Sequence, residues 1–217
     1  MQAFDFSGFS PIGIPRKSRC MVTPRFFVAF LLLACCIGKT QASQLLEGYA
    51  VLKGSGYAFE LKAPLGWVLD DKVGNDQGLN VVFYPEHSSW DQSDAVCYAR
   101  VRTLGSQVSN IDEQVKDTLK TFKSNGNPNI EAKFVKTITT QDANKALVYY
   151  FSGDQYGNSE ATAYVLTKHS VQFITLSARN KKAFHDAIPA FDALVASYQD
   201  LTQEPKPNPF HPFPRDY

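Results

Sequence analysis

The chain has 217 residues, of which 44% are hydrophobic and 20% charged, so it can bury a core and is not of the disordered class. Its formal net charge is +1, but five of the 22 basic residues precede residue 43. From Ser43 onward, 17 Lys and Arg stand against 20 Asp and Glu, a net charge of −3. That balance excludes the electrostatic attraction on which nucleic-acid binding depends, so no nucleic-acid partner is expected.

An apolar run near the start predicts where the protein is delivered. Residues 26–37 are twelve consecutive apolar residues, with Arg25 before them and Lys39 shortly after. A membrane-spanning helix needs about 20 such residues, whereas a basic flank, a short apolar run and a small-residue exit are typical of a secretory signal peptide. Small residues lead up to Ala42, where cleavage would leave Ser43 as the mature N-terminus. The sequence therefore predicts export to the periplasm or cell envelope.

The same run offers a second processing site. The tetrapeptide Leu32-Leu33-Ala34-Cys35 resembles a bacterial lipobox, in which the cysteine is lipidated and becomes the N-terminus. Under this alternative Cys35 is the sole membrane attachment, and the protein is a lipoprotein. Both alternatives stay open, and so does the start codon, which is either Met1 or Met21.

Alternation of apolar and polar residues predicts the strands of a sheet. The strands are expected at residues 57–62, 79–84, 95–103, 132–139, 147–152, 161–167 and 171–178, with a further element beginning at Val68. The links between the later strands are short and rich in turn-forming residues, which favours antiparallel pairing of neighbours in the chain. We expect an antiparallel sheet of about six to seven strands.

Two segments change to the period of a helix. In residues 110–124 the apolar side chains share one face, Asn110 and Glu113 form a capping box, and Gly126 supplies a left-handed end. A second helix is expected over residues 181–198, kinked or restarted at Pro189. Strands with two segregated helices indicate an α+β fold, an α/β/α sandwich with helices flanking the sheet.

The elements divide the chain into three parts. Residues 1–42 are an N-terminal extension with the signal peptide, and residues 43–202 are a single α+β domain. The remaining residues, 203–217, read QEPKPNPFHPFPRDY. Prolines at this density prevent helix and sheet pairing, so we expect an extended, disordered tail.

Two motifs resemble the PsbP-like fold. This fold is shared by the extrinsic photosystem II protein, bacterial DcrB-type envelope lipoproteins and eukaryotic Ran-binding Mog1-type proteins. One motif is YAFELKAPLGW at residues 57–67, and the other is the apolar pattern of residues 184–198, with Phe184, Pro189 and Tyr198. The resemblance covers residues 45–201 and implies an antiparallel sheet between helices, in a protein with an accessory or binding role. Its motifs are structural, and no functional residue is carried over from it.

The loop at residues 86–94 contains the first candidate site. His87, Asp91 and Asp94 are a possible ligand set for a divalent cation, because imidazole and carboxylates bind such ions. The alternative is a solvated loop joining two strands. Trp90 in the same loop is either a contact anchor for a partner or a plug in the core.

The strand at residues 95–103 carries the second candidate site. Tyr98, Arg100 and Arg102 share one face, which is a ligand-binding basic patch if no helix covers it; under a helix, the arginines extend to its edge. Cys97 lies on the opposite, apolar face and is interpreted as a buried, inert thiol. No catalytic set and no cofactor motif is recognised.

These patterns predict an exported, non-enzymatic envelope protein, either an accessory or a binding module. We expect a monomer whose partner is another envelope protein or a small ligand, with the membrane contacted only through Cys35 if it is lipidated. Two alternatives remain open. One is a secreted metal-dependent or hydrolytic enzyme that uses residues 86–94, and the other is an immunity or chaperone-type protein that binds another protein.

Overall fold

The computed structural model describes residues 48–104 and 110–202. The signal peptide, both processing sites with Cys35 and Ser43, the two possible start codons and the proline-rich tail lie outside the described residues, so those predictions stay predictions. No helix in the described ranges is long and apolar enough to cross a membrane.

The described residues form ten strands and two helices. In chain order they are β1 (Tyr49–Gly54), β2 (Tyr57–Lys62), β3 (Trp67–Asp70), β4 (Val82–Pro85), β5 (Ala95–Thr103), α1 (Ile111–Ser124), β6 (Glu131–Thr139), β7 (Lys145–Ser152), β8 (Ser159–Leu166), β9 (Ser170–Ala178), α2 (Lys181–Ala196) and β10 (Gln199–Asp200). A single 3-10 turn at Asn75–Gln77 lies between β3 and β4.

The strands pair in two antiparallel sheets. The large sheet has seven strands in the order β3-β4-β5-β9-β8-β7-β6, and the small sheet has the order β1-β2-β10. The consecutive strands β6 to β9 pair as neighbours, as expected for hairpins joined by short links. The predicted α+β class with a sheet of about seven strands is confirmed, while the small sheet was not predicted.

The main core lies on one face of the large sheet, under α2. Alternate residues of β5, β8 and β9, among them Cys97, Ala163 and Ile174, meet Phe191 of α2 and Phe59 of β2 there. All five side chains are fully buried. Burial of a large apolar side chain such as Phe59, Ile174 or Phe191 stabilises a fold by about 1.5–3 kcal/mol.

The helix ends follow the chemistry of their capping residues. The Asn110 side chain accepts a hydrogen bond from the backbone N–H of Glu113 at 2.9 Å, and Asn180 does the same for Ala183. Gly126 has φ +92°, which is the left-handed region expected for a helix end. α2 continues through Pro189 as one helix, so the expected restart at this residue is wrong. Pro189 lies on the exposed side of α2, where a missing N–H donor is tolerated because water can hydrogen-bond the freed carbonyl.

Candidate functional site

The candidate site lies on the other face of the large sheet, where α1 packs. Two separate apolar clusters occupy this face. One lies under α1 and includes Ile111, Val115 and Tyr164. The second surrounds Trp90 and includes Val96 and Tyr98 at the β4–β5 side of the sheet.

A cavity of about 290 Å³, which we call the binding cavity, is bordered by both of these clusters, through Tyr98 and Phe122, and by Leu52 and Ala99 of the main core. It extends past the end of β4, because β4 pairs with β5 only through Val82–Tyr98 and Phe83–Cys97. It therefore reaches the first hairpin as well as α1. Its lining residues come from five strands, from the link between β3 and β4, and from α1: Leu52, Tyr57, Gly78, Asn80, Tyr98, Ala99, Arg100, Val101, Arg102, Gln114, Asp117, Thr118, Thr121, Phe122, Glu160 and Phe173.

Arg102 joins the sheet to α1 at one wall of the cavity. Its Nη1 donates to the Asp117 carboxylate in an ion pair and to Oε1 of Gln114 at 3.1 Å. Gln114 and Asp117 are one helical turn apart, so both side chains face β5. Arg102 therefore has a structural role in holding α1 on the sheet, and its charge is balanced by Asp117.

Arg100 and Tyr98 lie two residues apart on the same face of β5 and form the next part of the wall. The guanidinium carbon of Arg100 is 5.0 Å from the centroid of the Tyr98 ring, which is a cation–π contact. Burial raises the pKa of the Tyr98 phenol, so this ring stays neutral at physiological pH. The basic patch predicted from the sequence thus lines a cavity beside α1, with one of its two arginines paired to the helix.

Glu160 contributes a buried carboxyl group to the cavity wall. It lies at the start of β8, is 8% exposed, and accepts a hydrogen bond from the Ser177 hydroxyl at 3.2 Å. The pKa of its carboxyl is raised to about 7, mainly by burial and in part by the negative charge of nearby Asp154, whereas the Ser177 hydrogen bond and the Arg100 charge act in the opposite direction. Near neutral pH the carboxyl is therefore a mixture of charged and neutral forms.

The structure overturns the interpretation of Trp90 as a contact anchor. Trp90 is 6% exposed and packs with Leu79, Val82 and Val96, so it fills the core. The loop that carries it is itself fastened to the rest of the fold, since Arg179 Nη2 donates to the Asp91 carbonyl oxygen at 2.7 Å. A buried indole has no surface left for a partner.

The metal-site interpretation of the same loop is also wrong. His87, Asp91 and Asp94 are exposed. Among the residues that the structure describes, no group of three His, Cys, Asp or Glu side chains could hold a metal ion together. The physical reason is the conformation of the loop, which turns at residues 89–93 to bury Trp90 and leaves the three polar side chains facing solvent.

Cys97 lies where its alternation with small apolar residues predicted. The thiol is free and fully buried on the α2 face, and burial raises its pKa. A protonated thiol without access to solvent is inert, because the thiolate is the reactive form. Cys97 therefore belongs to the core and not to the binding cavity.

Sequence reasoning missed Glu160, Gln114 and Asp117 as cavity residues. A signal for Glu160 was present, because Ala161, Ala163 and Val165 form an apolar face of β8, and Glu160 begins the opposite, more polar face. An acidic residue on such a face is expected to have a partner or a function. Gln114 and Asp117 gave no signal, since polar residues of an amphipathic helix are ordinarily exposed.

Comparison with known proteins finds similar structures but no similar sequence. No protein-family model and no curated protein matches the chain. Among solved structures, it is similar to the solution structure of cyanobacterial PsbP (CyanoP) from Synechocystis, with a TM-score of 0.48, 15% identity and coverage of 77% of this chain and 98% of that one. It is also similar to a variant of the protein Mog1, with a TM-score of 0.43, 9% identity and coverage of 70% and 95%.

The chain is similar in fold to PsbP and Mog1. Both belong to the group that the sequence motifs resemble. The similarity concerns the fold alone, and at these identities it indicates neither the ligand nor the partner of this chain.

Proposed function

We propose that this protein is an exported, non-enzymatic binding protein of the cell envelope that holds a small ligand in the binding cavity. The observation that carries the proposal is the cavity of about 290 Å³. It combines aromatic side chains with a few charged groups, as small-molecule sites do, and its size is near the lower end of the range for such sites. Export is supported by the apolar run of residues 26–37 and the small residues that follow it.

The cavity's side chains favour binding over catalysis. Glu160, with a pKa of about 7, is a group that a general base could use. Among the described lining residues, however, there is no Ser, Cys, His or Lys. The hydroxyls of Thr118 and Thr121 donate to backbone carbonyl oxygens of α1 at 2.9 and 3.0 Å, so they are held by their own helix. The Ser177 hydroxyl, which donates to Glu160, is buried and does not line the cavity, so a ligand in the cavity cannot reach it as a nucleophile.

A cavity-filling substitution tests the binding site. The probe is 2-naphthamide, a neutral aromatic compound, and its binding to the full chain is measured by ligand-detected NMR. Thr121→Trp places an indole in the cavity and is expected to weaken binding at least ten-fold. The matched control is Ser124→Trp, one turn further along the same helix at an exposed position, and it should bind as the wild type does.

Circular dichroism and thermal unfolding establish that both variants are folded. If 2-naphthamide binds all three proteins equally, or binds none of them, the cavity is not the ligand site and the proposal is wrong.

Export has a separate test. Intact-mass measurement of the protein from cell fractions distinguishes a mature chain that begins at Ser43 from one that begins at Cys35 with added acyl mass. A chain found in the cytoplasm with residues 21–42 still attached would refute export.

A further inference from the structure

We infer that the ligand of the binding cavity is a small carboxylic acid with a flat apolar body, bound as its anion together with one proton on Glu160. This inference rests on the proposed binding function and adds the chemical class of the ligand and a dependence on pH. It follows from the charges that line the cavity, from the surroundings of Glu160, and from the size and chemistry of the walls.

The lining charges determine the sign of the ligand. Among the described lining residues, two arginines stand against two acidic residues. Arg102 and Asp117 form an ion pair, so their charges cancel. Arg100 and Glu160 decide the remaining charge. With a charged Glu160 the charges of the lining residues sum to zero, and with a protonated Glu160 they sum to +1, before the nearby Asp154 is counted. Protonation of Glu160 removes a negative charge from the cavity wall, so an anion binds better once Glu160 holds a proton.

The groups around Glu160 allow that proton to be held. On the sheet, Ser177 of β9 donates to the carboxyl group, and Arg100 of β5 contributes a positive charge. Asp154, in the link between β7 and β8, contributes a negative charge. Tyr98 and Tyr164 are close enough to Glu160 for its charge to raise the pKa of their phenols, and both are buried and neutral. Burial dominates over these charges and places the pKa of Glu160 at about 7, so the proton is present or absent within the physiological range.

The walls and the volume indicate the body of the ligand. Tyr98, Phe122 and Phe173 supply aromatic surface from β5, α1 and β9. The volume corresponds to about ten water molecules at liquid density, which suits a ligand of roughly ten to fifteen non-hydrogen atoms. A planar carboxylate matches the planar guanidinium of Arg100, and a dianion such as a phosphate monoester would exceed the single positive charge that the cavity can present.

The test compares two ligands with the same body. The probes are 2-naphthoate, which is ionised throughout, and the neutral 2-naphthamide, and the dissociation constants for the full chain are measured at pH 5.5 and pH 8.5. With the pKa of Glu160 at about 7, 2-naphthoate should bind about thirty-fold more weakly at pH 8.5 than at pH 5.5. The affinity for 2-naphthamide should stay constant.

Substitutions of Glu160 and Arg100 test whether these two residues cause the pH-dependent binding of 2-naphthoate. Glu160→Gln keeps an acceptor for Ser177 and cannot ionise, so it should bind 2-naphthoate at pH 8.5 as tightly as the wild type does at pH 5.5. The control Glu131→Gln, at an exposed position on β6, should keep the thirty-fold pH dependence. Arg100→Gln should weaken 2-naphthoate at pH 5.5 about ten-fold or more, because a charge-assisted contact is lost, and leave 2-naphthamide unchanged.

Calorimetry of the wild type supplies a readout that needs no variant to fold. Titration of 2-naphthoate at pH 8 in buffers of different ionisation enthalpy should show uptake of between half and one proton per ligand bound. If both probes bind with equal affinity at both pH values and no proton is taken up, the inference is wrong while the binding function stands. If neither probe binds, the proposed function itself fails.

Discussion

The burial of Glu160 predicts an unusual dependence of stability on pH, which a single substitution tests. In the unfolded chain a glutamate has its ordinary pKa of 4.5, and in the folded protein burial raises the pKa of Glu160 to about 7. Between these two values the folded state holds a proton that the unfolded state has lost. Stability therefore falls as pH rises through this interval, which is the opposite of the behaviour of an ion-paired carboxylate.

The magnitude follows from the two pKa values. A difference in pKa of one unit corresponds to about 1.4 kcal/mol. Relative to a side chain that cannot ionise, Glu160 is expected to destabilise the fold by less than about 1 kcal/mol at pH 5 and by more than about 3 kcal/mol at pH 8, which leaves a difference of about 2–3 kcal/mol. For a domain of this size, that difference corresponds to roughly 5–10 °C in Tm.

Urea denaturation at pH 5 and pH 8 measures the effect. Glu160→Gln should exceed the wild type in free energy of unfolding by about 2–3 kcal/mol more at pH 8 than at pH 5. Glu131→Gln, which replaces an exposed glutamate, should follow the wild type at both pH values. A gain from Glu160→Gln that is the same at both pH values would refute the reasoning, because it would show that the carboxyl does not titrate between them.

Three further predictions concern the core and the turns. Phe191→Ala removes a fully buried ring under the sheet and should lower the free energy of unfolding, measured by urea denaturation, by about 3–5 kcal/mol. The control His185→Ala, at an exposed position on the same helix, should change it by less than about 0.5 kcal/mol. Asp142→Ala should cost about 2–3 kcal/mol in the same assay, because this carboxylate accepts hydrogen bonds from its own turn and from the backbone N–H of Asp200; a loss below about 0.5 kcal/mol would show that the link to β10 contributes nothing. Cys97 should resist alkylation by iodoacetamide in the folded protein and react fully in guanidinium chloride, as read by intact mass; rapid reaction of the folded protein would contradict its burial.

The strands of the large sheet from β5 onward could be predicted because each follows a local pattern, whereas β4 is Val82–Pro85 and was expected at residues 79–84. β5 was predicted with its observed bounds, Ala95–Thr103, since its two faces differ in every alternate residue. The small sheet could not be predicted in the same way. β10 has only two residues and exists because Gln199 and Asp200 reach Glu60 and Phe59 of β2, a pairing across about 140 positions of the chain that no local period encodes.

The site was predicted in part for a related reason. The shared face of Tyr98, Arg100 and Arg102 is a property of one strand and could be read from its alternation. The cavity, in contrast, is lined by residues of β1, β2, β5, β8, β9, α1 and the link between β3 and β4, which come together only in the folded chain. A loop has no fixed face, so the sequence could not show that Trp90 points inward while His87, Asp91 and Asp94 point outward.

The small sheet brings the first and last strands of the described fold close enough to be joined in a circular permutant. β2 lies between the first and the last strand of the described fold, with Tyr49 opposite Lys62 and Asp200 opposite Phe59. From strand spacing and rise, those two ends are roughly 15 Å apart, a distance that a linker of about six residues can span. A circular permutant opened in the turn between β7 and β8 is therefore expected to form both sheets, with the same neighbours in a new chain order.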